Sequence, residues 1–122
     1  MHTVMFVNLS NHPSQYWGDR QREAARSYGE VVDLPFPDVA PNASSLELLA
    51  LAQMCVEKIL SMGEAEEITV HVMGEMTFTF LVVARLKALG IRCVASTTER
   101  KTTYREDGTK LSEFSFVKFR DY

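Results

Sequence analysis

Short apolar segments of strand type alternate with longer segments of helical spacing through most of the chain. The strand-type segments cover residues 3–9, 30–34, 67–73 and 91–96. Such alternation calls for a parallel sheet with helices on both faces, because each strand must return through a helical crossover. Since these crossovers are right-handed, we expect strand one in the middle of the sheet, strand two on one side, and strands three and four on the other.

Three helices are expected between these strands. Pro13 suits the first turn of helix one, and Ser44 with Glu47 forms a capping box before helix two. Glycines follow all three helices, as they commonly do. The expected helices cover about residues 13–28, 45–62 and 76–89. The segment P-F-P-D-V-A-P-N, residues 35–42, predicts a stiff, extended connector.

The spacing of apolar residues changes after residue 97. Two strand-type segments flank Asp107-Gly108, a dipeptide that favours a tight turn, so a C-terminal β-hairpin is predicted. Four apolar residues of its second strand break a strict alternation: Leu111, Phe114, Phe116 and Phe119. That strand therefore either contains a bulge or is apolar on both sides. The hairpin either extends the sheet edge or reaches away from it.

The composition of the 122 residues is that of a globular protein, with 46% apolar and 24% charged residues, and the length suits one domain. Arg85 and Lys87 interrupt the longest apolar stretch, and the N-terminus lacks the pattern of a secretion signal. We therefore expect a cytoplasmic protein with no membrane partner. Cys55 and Cys93 lie in apolar stretches, as buried reduced thiols do. The net charge of −3 argues against binding a long nucleic acid.

Polar loops follow strands one, three and four, at the ends where ligands bind in doubly wound sheets. They are S-N-H-P-S at residues 10–14, G-E-M-T at residues 74–77 and S-T-T-E-R at residues 96–100. The amino ends of helices one and three point toward the same place and favour an anion there. The sequence therefore predicts that the three loops meet in one anion-binding pocket.

Each of these residues also has an ordinary structural interpretation. The hydroxyl and amide side chains can cap helices, Gly74 can serve a tight turn, and Glu75 is favoured at a helix start by the dipole. Arg100 can pair with a neighbouring glutamate, Trp17 can belong to the core, and His71 inside strand three is expected to be structural. Only the convergence of three polar loops favours a binding site over these roles.

The residue types in the loops narrow the chemistry of the predicted site. No Gly-rich dinucleotide motif and no P-loop occurs, and no acidic cluster suits a metal pair, so we expect no cofactor and no metal. Hydroxyls, amides, His12 and Arg100 remain. Such a set can hold a phosphodiester through hydrogen bonds and one cation.

One short segment resembles a family motif. Residues 94–100, V-A-S-T-T-E-R, are similar to the strand-four motif of CRISPR-associated Rossmann-fold (CARF) domains, in which a Ser or Thr precedes an Arg or Lys by four positions. Ser96 and Arg100 match that spacing, and Val94 replaces the Asp or Asn that is frequent there. The S-N-H-P-S loop, with Trp17 behind it, looks like that of small stand-alone CRISPR-associated proteins of the same broad fold.

The resemblance implies an α/β, Rossmann-like three-layer sandwich with a mainly parallel sheet and a C-terminal β-hairpin, formed by residues 1–122 as a single CARF-like domain. It implies a homodimer that binds a cyclic oligoadenylate across its two-fold axis. Several such proteins are ring nucleases, which degrade this second messenger of type III CRISPR defence. The implied reaction needs no metal: a ribose 2′-hydroxyl attacks the adjacent phosphate, and a 2′,3′-cyclic phosphate results.

Within this implied reaction the loop residues take separate roles. Arg100 would stabilise charge on the phosphoryl oxygens, and His12 is the first candidate for proton transfer, since histidine titrates near neutral pH. Glu75 is the other candidate, or else it holds a ribose hydroxyl, and Trp17 or Met76 would contact adenine. The expected ligand-binding residues are Ser10, Asn11, Ser14, Trp17, Gly74, Met76, Thr77, Ser96, Thr97 and Thr98.

Two other functions fit the same residues. The first is a protein of this fold that senses or sequesters the messenger without cleaving it, because binding and cleavage share one pocket. The second is an unrelated enzyme on a flavodoxin-like scaffold that acts on a free nucleotide or a sugar phosphate. Retention of intact cyclic oligoadenylate would favour the first, and failure to bind any cyclic oligonucleotide would favour the second.

Overall fold

The computed structural model describes residues 3–122, so the first two residues of the predicted domain lie outside the described part. The strands are β1 (Met5–Ser10), β2 (Glu30–Asp33), β3 (Ile68–Met73), β4 (Arg92–Tyr104) and β5 (Lys110–Asp121). The α-helices are α1 (Asp19–Arg26), α2 (Ser45–Leu60) and α3 (Met76–Ala88), and short 3-10 turns cover Ser14–Tyr16 and Ala65–Glu67. Within residues 3–122 none of the helices combines the length and the apolar character that crossing a membrane requires.

The strands form one sheet in the order β2-β1-β3-β4-β5. β1 pairs in parallel with β2 and β3, and β3 pairs in parallel with β4, whereas β5 returns antiparallel to β4. The predicted strand order is therefore confirmed, and the C-terminal hairpin extends the edge of the sheet. The fold is mixed α/β with a mainly parallel sheet and a C-terminal β-hairpin.

Side chains of β1 alternate between two cores on opposite faces of the sheet. Val7 and Leu9 join the larger core, which they share with α2 and α3. Phe6 lies in the smaller core with Ala25 of α1 and Phe119 of β5. The inner strands β1 and β3 are covered on both faces, as expected for parallel strands. The polar residues that they contain are therefore buried too: Asn8, Ser10, Thr69 and His71.

The first helix begins later than predicted, whereas the second begins where its cap indicates. Ser44 Oγ accepts the backbone N–H of Glu47 at 3.1 Å at the start of α2. α1 begins only at Asp19, because the backbone at Trp17 is extended and only a 3-10 turn follows Pro13. The helix predicted to start near Pro13 therefore starts at Asp19, and Trp17 is buried.

β4 does not end at residue 96 as predicted but continues to Tyr104. Its outer half is rich in threonine, which favours strand structure, and β5 supplies a hydrogen-bonding partner along its whole length. The predicted loop 96–100 is therefore part of a strand. β3 pairs with β4 only as far as Val94, so residues 98–116 form a two-stranded projection, which we call the wing.

A β-bulge in β5 sets the orientation of the aromatic side chains of the hairpin. The pairing advances one residue on β4, from Thr97 to Thr98, but two residues on β5, which leaves Val117 unpaired. The extra residue changes the alternation of β5. One face of the hairpin consequently carries three phenylalanines: Phe114, Phe116 and Phe119. The last two have ring centroids 4.9 Å apart. The bulge therefore explains the interval between Phe116 and Phe119, whereas Leu111, opposite Thr103, lies on the other face of the strand.

Candidate ligand-binding cleft

A cleft of about 610 Å³ lies beyond the carboxyl ends of β1 and β3 and beside the middle of β4. The start of α1 and the segment before it form one wall, and the wing forms the other. We call it the His12 cleft. Its lining consists of His12, Tyr16, Trp17, Gly18, Asp19, Arg20, Gln21, His71, Met73, Ser96, Thr98, Phe114, Ser115 and Phe116. The cleft therefore combines aromatic, hydroxyl and ionisable side chains at the edge where α/β sheets bind ligands.

Four of the predicted site residues line the His12 cleft: His12, Trp17, Ser96 and Thr98. Ser96 and Thr98 point to the same face because they lie two positions apart on one strand. Arg100 is the next residue on that face, just outside the lining. Its guanidinium donates to Ser112 Oγ at 3.1 Å and lies 5.9 Å from the centroid of the Phe114 ring. The structure therefore brings the segments after β1 and within β4 together.

The third predicted loop, residues 74–77, lies elsewhere. Glu75, Met76 and Thr77 line a separate cavity of about 740 Å³ between α2, α3 and the proline-rich connector. Gly74 lies in a neighbouring apolar groove along α3. The chain leaves β3 toward α2 because α3 packs against α2. The expected shared pocket therefore forms from two loops and not from three, and the larger cavity is mainly apolar, which suits an anion less well.

Both carboxylate oxygens of Glu75 are occupied at the start of α3. Oε1 accepts the backbone N–H of Thr77 at 3.1 Å and also its hydroxyl, and Oε2 accepts the N–H of Phe78 at 2.7 Å. These bonds, foremost that from the Thr77 hydroxyl, lower the pKa of the Glu75 carboxyl. Glu75 and Thr77 therefore cap a helix, and the geometry gives no support to a catalytic role for Glu75 in the His12 cleft.

Replacing Glu75 with alanine is expected to lower the melting temperature. The variant removes the acceptors of two backbone N–H groups of α3. Glu75→Gln keeps one side-chain oxygen and should melt between the other two proteins. Thermal unfolding of the three proteins checks this prediction, and equal melting temperatures would contradict it.

Gly74 is needed because the ring of Phe36 lies directly against it. A Cβ at this position would overlap that ring, which packs edge-on against Phe78 with centroids 5.1 Å apart. Gly74→Ala is therefore expected to lower the free energy of unfolding by about 1–3 kcal/mol. Gly18→Ala is the matched control, since no heavy atom lies within 4 Å of its new Cβ. Denaturant unfolding measures both, and equal losses would contradict the prediction.

Ser10 and Ser14 fasten the loop after β1 and do not line the cleft. Ser10 is buried, and its Oγ accepts the N–H of His12 at 3.2 Å. Ser14 Oγ donates to Asp33 Oδ2 at 2.7 Å. Asn8 joins the two ends of the loop, because its Nδ2 donates both to Asp33 Oδ1 and to the backbone carbonyl of His12, each at 2.9 Å. This network holds the backbone of His12 at the cleft.

Sequence reasoning missed Asn8 and Asp33, although a signal was present. Asn8 is an amide inside an otherwise apolar strand, and a buried amide requires partners. Burial alone would raise the pKa of Asp33, but hydrogen bonds from Ser14 and Asn8 lower it. The ionised carboxylate can therefore accept from both. A polar residue in the middle of a buried strand thus indicated a supported loop beside it.

Asn11 and Thr97 likewise support the backbone around the cleft. Asn11 is exposed, and its backbone N–H donates to the carbonyl of Met73 at 3.2 Å, which ties the loop after β1 to the end of β3. Thr97 Oγ1 donates to the carbonyl of Lys118 at 2.9 Å and accepts its N–H at 3.2 Å. Thr97 therefore braces the bulge and faces away from Ser96 and Thr98.

His71 is held in one tautomer by Asn8. Because Asn8 Nδ2 faces two acceptors, its Oδ1 must face donors. Oδ1 lies 2.8 Å from Ser10 Oγ and 2.8 Å from His71 Nδ1. His71 therefore carries its proton on Nδ1 and leaves Nε2 as an acceptor. Burial, with a smaller contribution from His12, lowers the pKa of His71 to about 4, so the ring is neutral at physiological pH.

Two buried polar atoms of the cleft lining have no hydrogen-bond partner among residues 3–122: Trp17 Nε1 and His71 Nε2. The two rings meet edge to face, with centroids 5.7 Å apart. One atom is a donor and the other is an acceptor. A buried group without a partner costs about 1–3 kcal/mol. His71, which the sequence suggested was structural, therefore has one nitrogen in the supporting network and a second nitrogen that the network does not use.

The described part of the chain has no cluster of metal ligands. Among residues 3–122 no group of three or more His, Cys, Asp or Glu side chains is arranged to hold a metal ion. Cys55 and Cys93 are free and buried, and burial raises the pKa of the Cys93 thiol to about 11. Because a protonated thiol is a poor nucleophile, this pKa does not favour a reactive role for Cys93.

Comparison with known proteins places the chain in a family. No curated protein matches it. The model of the family described as Uncharacterized protein MJ1673 family matches residues 4–120. The matched residues include β1 through α3, β4 and all but the last residue of β5, and thus every residue of the cleft lining. Since the match covers nearly the whole chain, the protein belongs to the Uncharacterized protein MJ1673 family.

Proposed function

We propose that the protein is a metal-independent ring nuclease that binds and cleaves a cyclic oligoadenylate in the His12 cleft, on a Rossmann-like, CARF-like scaffold. One observation carries the proposal. The loop after β1 and the segment that resembles the CARF motif, far apart in sequence, line the same cleft. The cleft joins two histidines, several hydroxyl side chains and aromatic rings, a combination that suits a phosphodiester with an attached base.

The attacking group in the proposed reaction is a ribose 2′-hydroxyl. His12 accepts its proton, the 2′-oxygen forms a bond to phosphorus, and the bond between phosphorus and the 5′-oxygen breaks. The leaving 5′-oxygen takes a proton from water, and a 2′,3′-cyclic phosphate remains. Ser96 and Thr98 donate hydrogen bonds to the phosphoryl oxygens, and Arg100 supplies positive charge at the outer end of the cleft.

Aromatic residues of the cleft support binding of adenine. Tyr16 and Phe114 line it and are 76% and 67% exposed, so their ring faces are free for a ligand. Stacking of a base on an aromatic side chain contributes about 1–3 kcal/mol. Met76, the other predicted adenine contact, lies in the separate cavity and takes no part in this proposal.

We further propose that the protein acts as a cytoplasmic homodimer. A cyclic ligand built from identical nucleotides presents the same groups to two symmetric clefts. Two chains would also place two copies of His12 and Arg100 around one polyanion, so that two guanidinium groups raise the local positive charge although each chain carries a net charge of −3. Ligand and protein titrated by light scattering would show two chains per ring, and one chain per ring would argue against this arrangement.

A second candidate is a protein that senses or sequesters the messenger without cleaving it. Of the three residues proposed from the sequence as catalytic, only His12 lines the cleft. Glu75 is engaged at α3, and Arg100 is bonded to Ser112 just outside the lining. Because the other two residues lie outside the lining, the aromatic surface of the cleft favours binding more than turnover.

Incubation with cyclic tri-, tetra- and hexa-adenylate in the presence of EDTA separates the two candidates. Products are resolved by mass spectrometry. A ring nuclease yields linear oligoadenylates that end in a 2′,3′-cyclic phosphate, and EDTA does not slow it. Intact ligand recovered with the protein supports the sensor. Loss of cleavage on chelation contradicts the metal-independent mechanism, and absence of binding to every ring contradicts both candidates.

Arg100→Ala is expected to weaken both binding and cleavage of the proposed ligand by about 10- to 100-fold, the usual range for losing one charge-assisted hydrogen bond. Lys101→Ala is the matched control: it removes the same charge from the next residue of β4, which points to the opposite face of the wing. Isothermal titration and single-turnover rates measure the effect. Equal losses in the two variants would show that only the overall charge matters.

A further inference from the structure

We propose that Trp17 Nε1 and His71 Nε2 act as a donor and an acceptor that together hydrogen-bond to the edge of an adenine that carries its amino group, when the base is bound in the His12 cleft. The inference rests on the proposed function, and it assigns base recognition to a specific pair of atoms. Neither atom has a hydrogen-bond partner among residues 3–122, although both are buried and both residues line the cleft.

The hydrogen-bonding state of the pair is fixed by the surrounding structure. Indole Nε1–H is always a donor. His71 Nε2 is an acceptor because Asn8 Oδ1 takes the proton of Nδ1 at 2.8 Å. Asn8 cannot turn its amide over without placing its oxygen against Asp33 Oδ1 and the carbonyl of His12. The network therefore presents one defined donor and one defined acceptor.

The two rings lie next to each other in the lining of the His12 cleft. Trp17 and His71 meet at 82° with centroids 5.7 Å apart, and their nitrogens do not bond to each other. Both rings also pack on Phe119, which keeps them in place. Thr79 Oγ1, the other buried atom without a partner in residues 3–122, lies along α3 in a different groove. Among the side chains of residues 3–122, two different residues with buried, unpartnered polar atoms thus line one cavity only in this cleft.

Adenine carries the complementary groups on one edge. Its exocyclic amino group donates a hydrogen bond, which His71 Nε2 can accept. The adjacent ring nitrogen, N1 or N7, accepts a hydrogen bond, which Trp17 Nε1–H can donate. A site built to bond both groups discriminates strongly against a base that lacks one of them, because a buried group is then left without a partner.

Trp17 is the only tryptophan in the chain, so its indole N–H gives a single, assignable NMR signal. Cyclic tri-, tetra- and hexa-adenylate and 5′-AMP are added separately to the ¹⁵N-labelled protein. We expect at least one of them to shift the indole signal and the ¹⁵N resonance of His71 Nε2. Binding that leaves both resonances in place overturns the inference, and so does the absence of any shift with all four probes.

Ligand analogues and two substitutions of His71 test each hydrogen bond. A probe carrying N6,N6-dimethyladenine, which lacks the amino donor, should bind about tenfold more weakly, as should 7-deaza or 1-deaza forms if the matching nitrogen is used. His71→Asn keeps an N–H for Asn8 and removes the outer acceptor, whereas His71→Gln keeps an outer acceptor and loses that N–H. We expect His71→Asn to lose adenine affinity and His71→Gln to retain more of it.

The outcomes separate this inference from the proposed function. Cleavage of a ring with an unmoved indole signal, or wild-type affinity in both His71→Asn and Trp17→Phe, overturns the inference and leaves the nuclease proposal standing. A moved indole signal with 5′-AMP, combined with intact cyclic ligands, supports the adenine pair and contradicts the nuclease. Equal loss of affinity in His71→Asn and His71→Gln assigns His71 to packing alone and overturns the inference.

Discussion

Replacement of His12 by alanine is expected to slow cleavage of a cyclic oligoadenylate by about 10²- to 10⁴-fold, the range for removing a general base, while binding weakens much less. The fold should survive, because Asn8 and Ser10 contact only the backbone of His12. The alanine variant keeps those backbone groups. The lost rate therefore reports on the side chain and not on the loop.

Single-turnover cleavage and Trp17 fluorescence titration measure the rate and the affinity separately. Asn11→Ala is the control, since Asn11 is a neighbouring exposed residue outside the cleft lining. We expect it to cleave at the wild-type rate. A wild-type rate in His12→Ala would remove the histidine from the mechanism and favour the sensor. An equal fall in affinity and rate would assign His12 to ligand binding.

Acidification is expected to destabilise the protein between pH 6.5 and about pH 4, through His71. Burial holds the folded-state pKa of His71 near 4, against an ordinary value of 6.5. In that interval His71 is protonated in the unfolded chain but not in the folded protein. The free energy of unfolding therefore falls as the pH falls. The shift corresponds to about 3 kcal/mol, fully lost only below the folded-state pKa.

The acid effect of His71 can be separated from that of the carboxylates. The pKa values of Asp33, Glu75, Asp107 and Asp121 are lowered from ordinary values of 3.8 to 4.5. Their stabilisation is therefore present above that range and is lost at lower pH. Urea unfolding is measured as the pH is lowered in half-unit steps. The loss of stability due to His71 should appear at higher pH than the loss due to the carboxylates. His71→Asn should abolish that slope, and an unchanged slope would assign it to another group.

The strand order was predictable because it follows from the local alternation of strand and helix segments and from the right-handedness of crossover connections. The ends of strands and the directions of loops depend instead on residues that are distant in sequence. β4 continues past Ser96 because β5 is available to pair with it. Trp17 delays α1 because its ring enters the core next to Phe6. Glu75 belongs to the other side of the molecule because α3 packs on α2. None of these contacts can be inferred from the residues that are adjacent in sequence.

The sequence predicted the types of residue in the candidate site, but only some of the particular residues that line it. Polar residues after β1 marked one wall of the cleft, and Ser96 and Thr98 marked another part. The tautomer of His71 could not be read from the sequence, since it depends on an amide that reaches across from β1 and is oriented by Asp33 on β2. Three strands must be in register before that nitrogen has a defined role.

The bulge at Val117 has a consequence for how such proteins diversify. A β-bulge accommodates one extra residue, so the residues beyond it keep their side of the sheet. Loss of Val117 would therefore give an unbroken strand that still presents Phe114, Phe116 and Phe119 to one side. One residue added or removed elsewhere in β5 would instead turn the residues beyond it to the opposite side, so the bulge is the position at which relatives can change the length of this strand and keep its aromatic wall.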